Sequence, residues 1–522
     1  MIPLAVNTRI QVGEDRATVR YVGAVEGSTG EWLGVEWDND LRGKHNGTHN
    51  NKNYFTCRSQ TSGSFLRYNA KKVLTGRSFL QALEIKYLET DTPTPTAKDP
   101  LYLSGNKKIL VETVGFEKVQ DVQSNLHGLK VVGLANMMVD SIDAPQALKE
   151  VNLQIEDLDL SKNLINDWHA IADLVQLLPS LCILRLNAIR LTPLPPTLAE
   201  QHRSSFCHLQ TLVLCDTGIS WDQIAALQPF LPQVEDLQLS NNVITHLTPL
   251  TLPSLKSLNL EYNHLNDWHQ INALTSLTSL ETLFLNNNQL TSVDLIPNTF
   301  QALQFLRLDH NQLQQWQSID QLDQLPSLIN MRCQDNPVAS DMPVEEAMAQ
   351  VIGRVHGLVT LNGNTISPRD RTDLERFYLK LCTRDGQTHD QLQALHPRYS
   401  ALCKVHGDPV IPMTGTNDKP SAKLNDRLLT ITLAHLPLPS EQALQEHIEN
   451  LPVPIKTLSK RVLATMTVRS LRNLLQKLFQ IPSTRLQMFL IQQGMVIPLD
   501  DDLRDLKYYG LVPDDTLYLL EV

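Results

Sequence analysis

The sequence predicts a multidomain chain: a small all-β barrel, an α/β solenoid of short repeats, and an α+β module. Three observations predict it. A leucine phrase recurs between Leu129 and Ile366. A Gly- and aromatic-rich, strand-patterned head precedes it. After a Pro- and Gly-bearing joint, alternating and helical apolar patterns return near the end. At about 150 residues per domain, 522 residues suit three or four units.

Residues 1–83 are the head. Alternation in Ala17-Thr18-Val19-Arg20-Tyr21-Val22 and Trp32-Leu33-Gly34-Val35-Glu36-Trp37 predicts short antiparallel strands, with glycines supplying the turns. Eleven Lys and Arg against seven Asp and Glu make the head +4 in a chain of net −11, so the remainder carries −15. A basic head on an acidic chain points to an acidic ligand, against the plainer reading of a solvated basic surface. Gly43-Lys44 does not begin a phosphate loop, which needs Gly at 38 and Ser or Thr at 45, where Asp38 and His45 stand.

Gly43-Lys44-His45-Asn46-Gly47 instead resembles the signature loop of CAP-Gly domains, usually G-K-N-D-G. Trp32 to Asp38 precede it, and Tyr54-Phe55-Thr56-Cys57 and Gly63-Ser64-Phe65-Leu66-Arg67 follow. The resemblance implies a groove that reads the extreme C-terminus of proteins ending in Glu-Glu-Tyr or similar, α-tubulin among them. It implies groove walls from Trp32 and Phe65, polar readers in Lys44, His45 and Arg67, and a loop completed by Asn46 and Gly47. The plainer readings are core packing for the two aromatics and a solvated loop lysine for Lys44. His45 stands where the family usually has Asn, and Asn46 where it has Asp. We therefore expect tail affinity to change between about pH 6 and 8 through His45.

Residues 84–105, with Thr92-Pro93-Thr94-Pro95-Thr96, read as a tether that lets the head search, and 109–126 as a cap on the array's first turn. The array and its closure span 106–408. The phrase L-x-x-L-x-L-x-x-N-x-L starts clearly at Val234, Leu255, Leu280 and Leu303, loosely at Ile155, Leu181, Leu209, Leu328 and His356, and in degenerate form at Leu129. Starts lie, for instance, 25 and 23 residues apart, in the leucine-rich-repeat range. The spaced leucines point inward and the residues between them outward along a short strand. The Asn amide bonds backbone groups where the chain leaves the strand. One copy cannot bury its own leucines, so copies must stack into a curved coil with a strand-lined concave face.

Outward positions on that face hold Asp157, Asp159, Asp236, Glu261, Phe284, Phe305, Arg307, Asp309 and Arg332. An acidic mixture with two aromatics points to a protein ligand, although each residue alone suits a solvated face. Between strands, 167–178 and 221–231 read as helices, while 191–196 is too Pro-rich. Val359-x-Leu361-Asn362-Gly363 followed by Asp373-Leu374-Glu375-Arg376-Phe377-Tyr378-Leu379 is similar to the closing cap of cytosolic leucine-rich-repeat proteins.

Residues 409–426 read as a second joint and 427–522 as an ordered module. A strand from Leu428 and a second over 459–466 precede a helix opened by Thr467, whose apolar face is Val468, Leu471, Leu474, Leu475 and Leu478. Strands over 486–491 and 517–521 follow. The order, together with Asp502-Leu503-x-x-Leu506-x-Tyr508-Tyr509-Gly510-Leu511, resembles ubiquitin-like β-grasp domains. The chain ends Leu519-Leu520-Glu521-Val522 without Gly-Gly, which fits a docking domain rather than a conjugated modifier.

The acidic balance argues against a general nucleic-acid binder. No run of about 18 apolar residues exists and Met1 to Arg9 lack an apolar core, so neither a membrane span nor a secretory signal is expected. Seven scattered cysteines without C-x-x-C fit reduced thiols. No catalytic motif, cofactor site or metal spacing survives inspection; Asp167-Trp168-His169 and Asp267-Trp268-His269 recur and read as repeat structure.

In this order, the three modules resemble the tubulin-folding cofactor E family. The resemblance implies a cytoplasmic, cytoskeleton-linked chaperone without enzymatic activity. Its head takes the α-tubulin tail and its array the α-tubulin body. Its partners are cofactor D with β-tubulin, cofactor C, and cofactor B, with which it also takes heterodimers apart. The alternatives are a microtubule-associated adaptor and a degradation adaptor whose ubiquitin-like module meets proteasome or ubiquitin-pathway proteins.

Overall fold

The computed structural model describes residues 3–88, 126–411 and 428–521, apart from 449, 464, 483, 484, 493, 494 and 503. Most of both predicted joints, and the cap expected over 109–126 except its last residue, lie outside the described residues. The chain divides into two units, Met1–Leu379 with Gln393–Asp408, and Lys380–Leu392 with Pro409–Val522.

The first unit opens with a five-stranded antiparallel sheet: β1 (Arg9–Val12), β2 (Asp15–Ala24), β3 (Glu31–Trp37), β4 (Gly63–Leu66) and β5 (Val73–Leu74), in the order β4-β3-β2-β1-β5. Its small core gathers Ile10, Ala17, Val19, Leu33, Val35 and Trp37. Glu36 is a buried acid in this sheet. Burial pushes its carboxyl up, but the Arg58 N–H and the Arg20 and Arg58 guanidiniums outweigh that and hold it below the usual range.

The sequence places the head's end at 83 and a tether over 84–105; the structure shows a helix across the first boundary, and residues 89–105 lie outside the described ones. Helix α1 (Phe79–Tyr87) runs across that boundary, opened by a reciprocal Ser78–Gln81 capping box. Phe79, Ala82 and Leu83 are buried in the array's core, not the head's. Residues 77–78 also pair in parallel with Val139–Ser141 of the array. Among the described residues, seventy-odd residues of barrel pass directly into the helix that closes the array's first layer.

Ten parallel strands follow in one ladder, closed by an antiparallel hairpin strand. They are β6 (Val131–Gly133), β7 (Asp157–Asp159), β8 (Ile183–Arg185), β9 (Thr211–Val213), β10 (Asp236–Gln238), β11 (Ser257–Asn259), β12 (Thr282–Phe284), β13 (Phe305–Arg307), β14 (Asn330–Arg332), β15 (Thr360–Leu361) and β16 (Asn364–Thr365). Register is strict: Leu158, Leu184, Leu212, Leu237, Leu258, Leu283 and Leu306 stand side by side, all buried. Nine of the ten predicted starts lie two residues before their strand. The tenth is displaced: His356 is exposed, and Leu358 takes the buried first position.

A ladder of buried asparagines binds the copies. Asn288 Nδ2 donates to Leu260 O of the preceding copy (2.9 Å) and to Leu285 O of its own (3.1 Å), while its Oδ1 accepts from Leu265 N–H (3.0 Å). Asn263 and Asn311 repeat this pattern. The recurrent Asp-Trp-His is also structural: Asp167 and Asp267 cap helix N-termini by accepting from His169 and His269 N–H, and Trp168 and Trp268 are buried. Helices α2 (Trp168–Gln176) and α3 (Trp221–Leu227) fall where periodicity predicts them. Helices α4 (Val344–Arg354) and α5 (Pro368–Cys382) follow β14 and β16. Gly353 is obligatory in this cap, because a Cβ there would lie 2.1 Å from the Tyr378 ring.

The second unit holds a five-stranded sheet, β17 (Leu428–His435), β18 (Lys456–Leu463), β19 (Leu486–Gln492), β20 (Met495–Pro498) and β21 (Thr516–Glu521), in the order β18-β17-β21-β19-β20. Parallel β17–β21 pairing at the centre and the crossing helix give the β-grasp arrangement. That helix, α7 (Val468–Phe479), is capped by Thr467 and buries Val468, Leu471 and Leu475 on one sheet face. An unpredicted short helix, α6 (Glu441–Glu446), precedes it and carries Leu444 onto a second apolar cluster with Leu436, Phe489 and Leu520.

Candidate binding site

The 43–47 loop leaves β3 and crosses the end of β4. Lys44 and His45 N–H groups both donate to Gly63 O (2.7 and 3.2 Å), and Gly63 N–H returns a bond to His45 O (2.6 Å). Both loop glycines are forced. A Cβ at Gly43 would lie 2.4 Å from Thr61 O; one at Gly47, whose φ is +102°, would lie 1.9 Å from Phe55 O. Asn46 completes the turn by accepting from Thr48 N–H and donating to Gln60 Oε1 (3.0 Å).

Beside this loop, Phe65 is the hub of an aromatic cluster. Its centroid lies 5.1 Å from His45, 5.4 Å from Tyr54 and Phe55, 6.0 Å from His49 and 6.3 Å from Tyr21. Gly34 allows it, since a Cβ there would lie 2.4 Å from the Phe55 ring. Phe65 and Tyr54 are half-buried, and Lys44 is exposed. Trp32 stands apart, half-buried beneath Arg67, whose guanidinium lies 4.5 Å above its ring and donates to Thr29 O (3.1 Å). The structure thus brings His45, Asn46, Gly47 and Phe65 together, and pairs Trp32 with Arg67. Sequence reasoning did not name Tyr21, His49, Tyr54 and Phe55 as site residues. Tyr54 and Phe55 lay within the quoted pattern, whereas nothing local marks Tyr21 and His49.

His45 Nδ1 accepts from Gly47 N–H at 3.0 Å, so the proton of neutral His45 sits on Nε2. Burial, then the neighbouring His49, lowers its pKa below 6.5. The groove therefore offers a lysine ammonium, an imidazole N–H donor and an aromatic wall. That set suits a chain end with carboxylates followed by a ring.

On the concave face, Phe284 and Phe305 meet at 5.5 Å, and Arg307 lies 5.6 Å over Phe284. Arg307 also pairs with Asp309 (3.3 Å) and Glu261 (3.9 Å), and Asn286 donates to Glu261 (3.0 Å). Asp236 is engaged by Gln238 (2.6 Å). Glu261, Phe284, Phe305 and Arg307 make one patch. Asp309 differs from the expectation of an outward contact: it is buried, and it also accepts from Gln334 N–H (3.3 Å), so it buttresses Arg307. Arg332 is exposed. Among the described residues, no group of three or more His, Cys, Asp or Glu could hold a metal ion, and no helix is long and apolar enough to cross a membrane.

A family model described as CAP-Gly domain matches residues 6–71, and one described as leucine-rich repeats (two copies) matches residues 278–326. Tubulin-specific chaperone E of Bos taurus is 32% identical over 98% of this chain and 98% of its own length. The Homo sapiens protein of that name is 31% identical over 98% of each. Tubulin-folding cofactor E of Arabidopsis thaliana is 30% identical over 97% of this chain and 95% of its own. Among solved structures, the C-terminal ubiquitin-like domain of mouse tubulin-specific chaperone e is 23% identical over 21% of this chain and 94% of its own, with a TM-score of 0.14.

Proposed function

The chain belongs to the tubulin-specific chaperone E family of tubulin-folding proteins, and on that premise we propose how this member engages its substrate. It binds α-tubulin at two places. The groove of Lys44, His45 and Phe65 takes the acidic, aromatic-ended tail, and the Phe284–Phe305 patch takes the body. Through the second contact it takes part in assembling and dissociating the αβ heterodimer, with cofactor D carrying β-tubulin and with cofactors C and B. This work belongs to the cytoplasm, beside the cytoskeleton.

The observation that carries the reading is the Phe65 cluster with exposed Lys44 beside it. Two modest contacts on one chain raise affinity through effective concentration. A degradation adaptor draws less support, because the second face of the C-terminal sheet is already covered by Leu436, Leu438 and Leu444.

The test mixes the chain with αβ-tubulin, with and without cofactor B, and follows dimer integrity by size and mass. A parallel sample uses α-tubulin lacking its terminal aromatic residue. Dissociation into a complex with α-tubulin, weakened by that truncation, supports the reading. An intact dimer, with binding to polymer alone, replaces it with a microtubule adaptor.

A further inference from the structure

The chain is acidic overall, yet residues 450–499 hold seven Lys and Arg and no Asp or Glu. Three of the seven are answered from outside that stretch. Arg469 and Arg472 reach Asp502 (3.8 and 3.2 Å), and Arg485 reaches Glu521 (3.4 Å). The other four, Lys456, Lys460, Arg461 and Lys477, meet no carboxylate among the described residues, and all four are exposed. Lys456 donates only to a backbone oxygen, Leu478 O (2.7 Å). The four stand on β18 and on α7 beside it.

β18 is an edge strand. It pairs with β17 through eight residues without a break in register, and among the described residues no strand pairs with its other side. That side therefore presents a row of open N–H and C=O groups. The opposite edge, β20, is blunted: it has four residues and ends in Pro498. β18 is neither short nor interrupted by proline. Leu458 stands opposite the buried Leu433, on the sheet face that α7 crosses. Lys456 lies 5.1 Å over the Phe479 ring, so the end of α7 meets the start of β18. Leu458, Leu474, Leu478 and Phe479 are half-buried against one core and make an apolar shelf along the edge. Open backbone groups beside such a shelf suit an added strand, whose main chain supplies affinity and whose alternate side chains reach the shelf. The cations select its charge: they repel a second β18 and attract carboxylates. An anionic membrane or a nucleic acid would meet the cations but would leave the strand's N–H and C=O groups unused.

We propose that the outer edge of β18 docks an extended, internal segment of a partner protein, rich in carboxylates and with apolar residues at alternate positions, which joins the five-stranded sheet as a further strand. The site is independent of the head groove and of the functional reading above. The test uses the full chain carrying Phe65→Ala, so that the head groove contributes nothing. The probe is a fluorescent peptide of alternating Glu and Val, blocked at both ends and matched to the eight residues of β18. Its affinity is expected to fall about tenfold when Lys460→Glu and Arg461→Glu are combined, both being exposed positions. On the unaltered edge, methylating alternate peptide nitrogens removes N–H donors and is expected to weaken binding about tenfold or more. Peptide binding is also expected to slow hydrogen exchange at Lys456–Leu463. Equal binding of the methylated peptide overturns strand addition, because charge alone would then hold it. Binding without slowed exchange in β18 places the peptide elsewhere and overturns the site. No peptide binding overturns it too; if vesicles of phosphatidylserine and phosphatidylcholine bind instead, and the double variant loses them, the cations serve a membrane surface.

Discussion

His45 Nδ1 accepts the N–H of Gly47 at 3.0 Å, and this bond ties the loop's shape to the state of one imidazole. Burial and His49 lower the His45 pKa below 6.5, so folding favours the neutral ring. Its contribution to the head's stability is complete above 6.5 and lost as pH falls through the lowered value. Protonation would set two donors, Nδ1–H and Gly47 N–H, against each other. Leaving that buried donor unpaired costs about 1–3 kcal/mol, more than the roughly 0.2–1 kcal/mol an exposed charge pair with the tail returns. Affinity for an acidic peptide ending in Glu-Glu-Tyr is therefore expected to be flat from about pH 7 to 8 and to fall below about 6.5. Fluorescence anisotropy across that range checks it. A rise in affinity toward acid, or the same profile in His45→Asn, would show that His45 does not set the loop.

Phe65 touches five rings, so its loss opens the wall rather than trimming it. Phe65→Ala is expected to weaken tail-peptide binding by about 2 kcal/mol or more, the range of a central aromatic anchor. Lys44 is exposed, and Lys44→Ala is expected to cost less, about 0.5–1 kcal/mol, with most of that difference gone at high salt. Titrations at two ionic strengths separate the two effects. If Phe65→Ala binds as the unaltered chain does, the groove lies elsewhere.

Several features were legible because they are local. The Leu-x-Leu spacing located nine of ten parallel strands, and the asparagine after six of these nine showed where one copy bonds the next. The last copy lacks the full Leu-x-Leu, so two frames fit, and only burial of Leu358 against exposed His356 chooses between them. What pairs across distance was not legible. Tyr21 and His49 join Phe65 only once β2, β3 and β4 align. The Ser78–Gln81 capping box is a local signal for α1, but which core that helix covers depends on contacts with residues more than fifty positions away.

That assignment has a consequence. Leu83 is fully buried in the array's first layer although it directly follows the barrel. Leu83→Ala is expected to cost about 2–4 kcal/mol, and the cost should fall on the array. Hydrogen exchange should show lost protection at Val131–Gly133, while the strands over Asp15–Ala24 and Glu31–Trp37 keep theirs. Deprotection confined to the barrel would return α1 to the head.

Asn288 offers the most direct test of the ladder. Its side chain donates to two buried carbonyls and accepts the Leu265 N–H. Asn288→Ala leaves that N–H without a partner inside the coil, while the two oxygens each lose one donor and keep another, Asn263 at Leu260 O and Asn311 at Leu285 O; an unpaired buried group costs about 1–3 kcal/mol, and a loss in that range is expected. Thr217 shows a gentler alternative already in use: its Oγ1 donates to Leu214 O (3.0 Å), while its N–H is met by Asn242. Asn288→Thr should therefore keep its own bond to Leu285 O and lose about half as much. Because neighbouring repeats share this bond, the loss should appear in both flanking copies rather than in one. Denaturant titration gives the two magnitudes, and exchange at Ser257–Asn259 and Thr282–Phe284 gives their location. Equal destabilisation by Ala and Thr would mean that the bond to Leu285 O within the copy contributes nothing, and that the bonds to Leu260 O and Leu265 N–H of the preceding copy carry the loss.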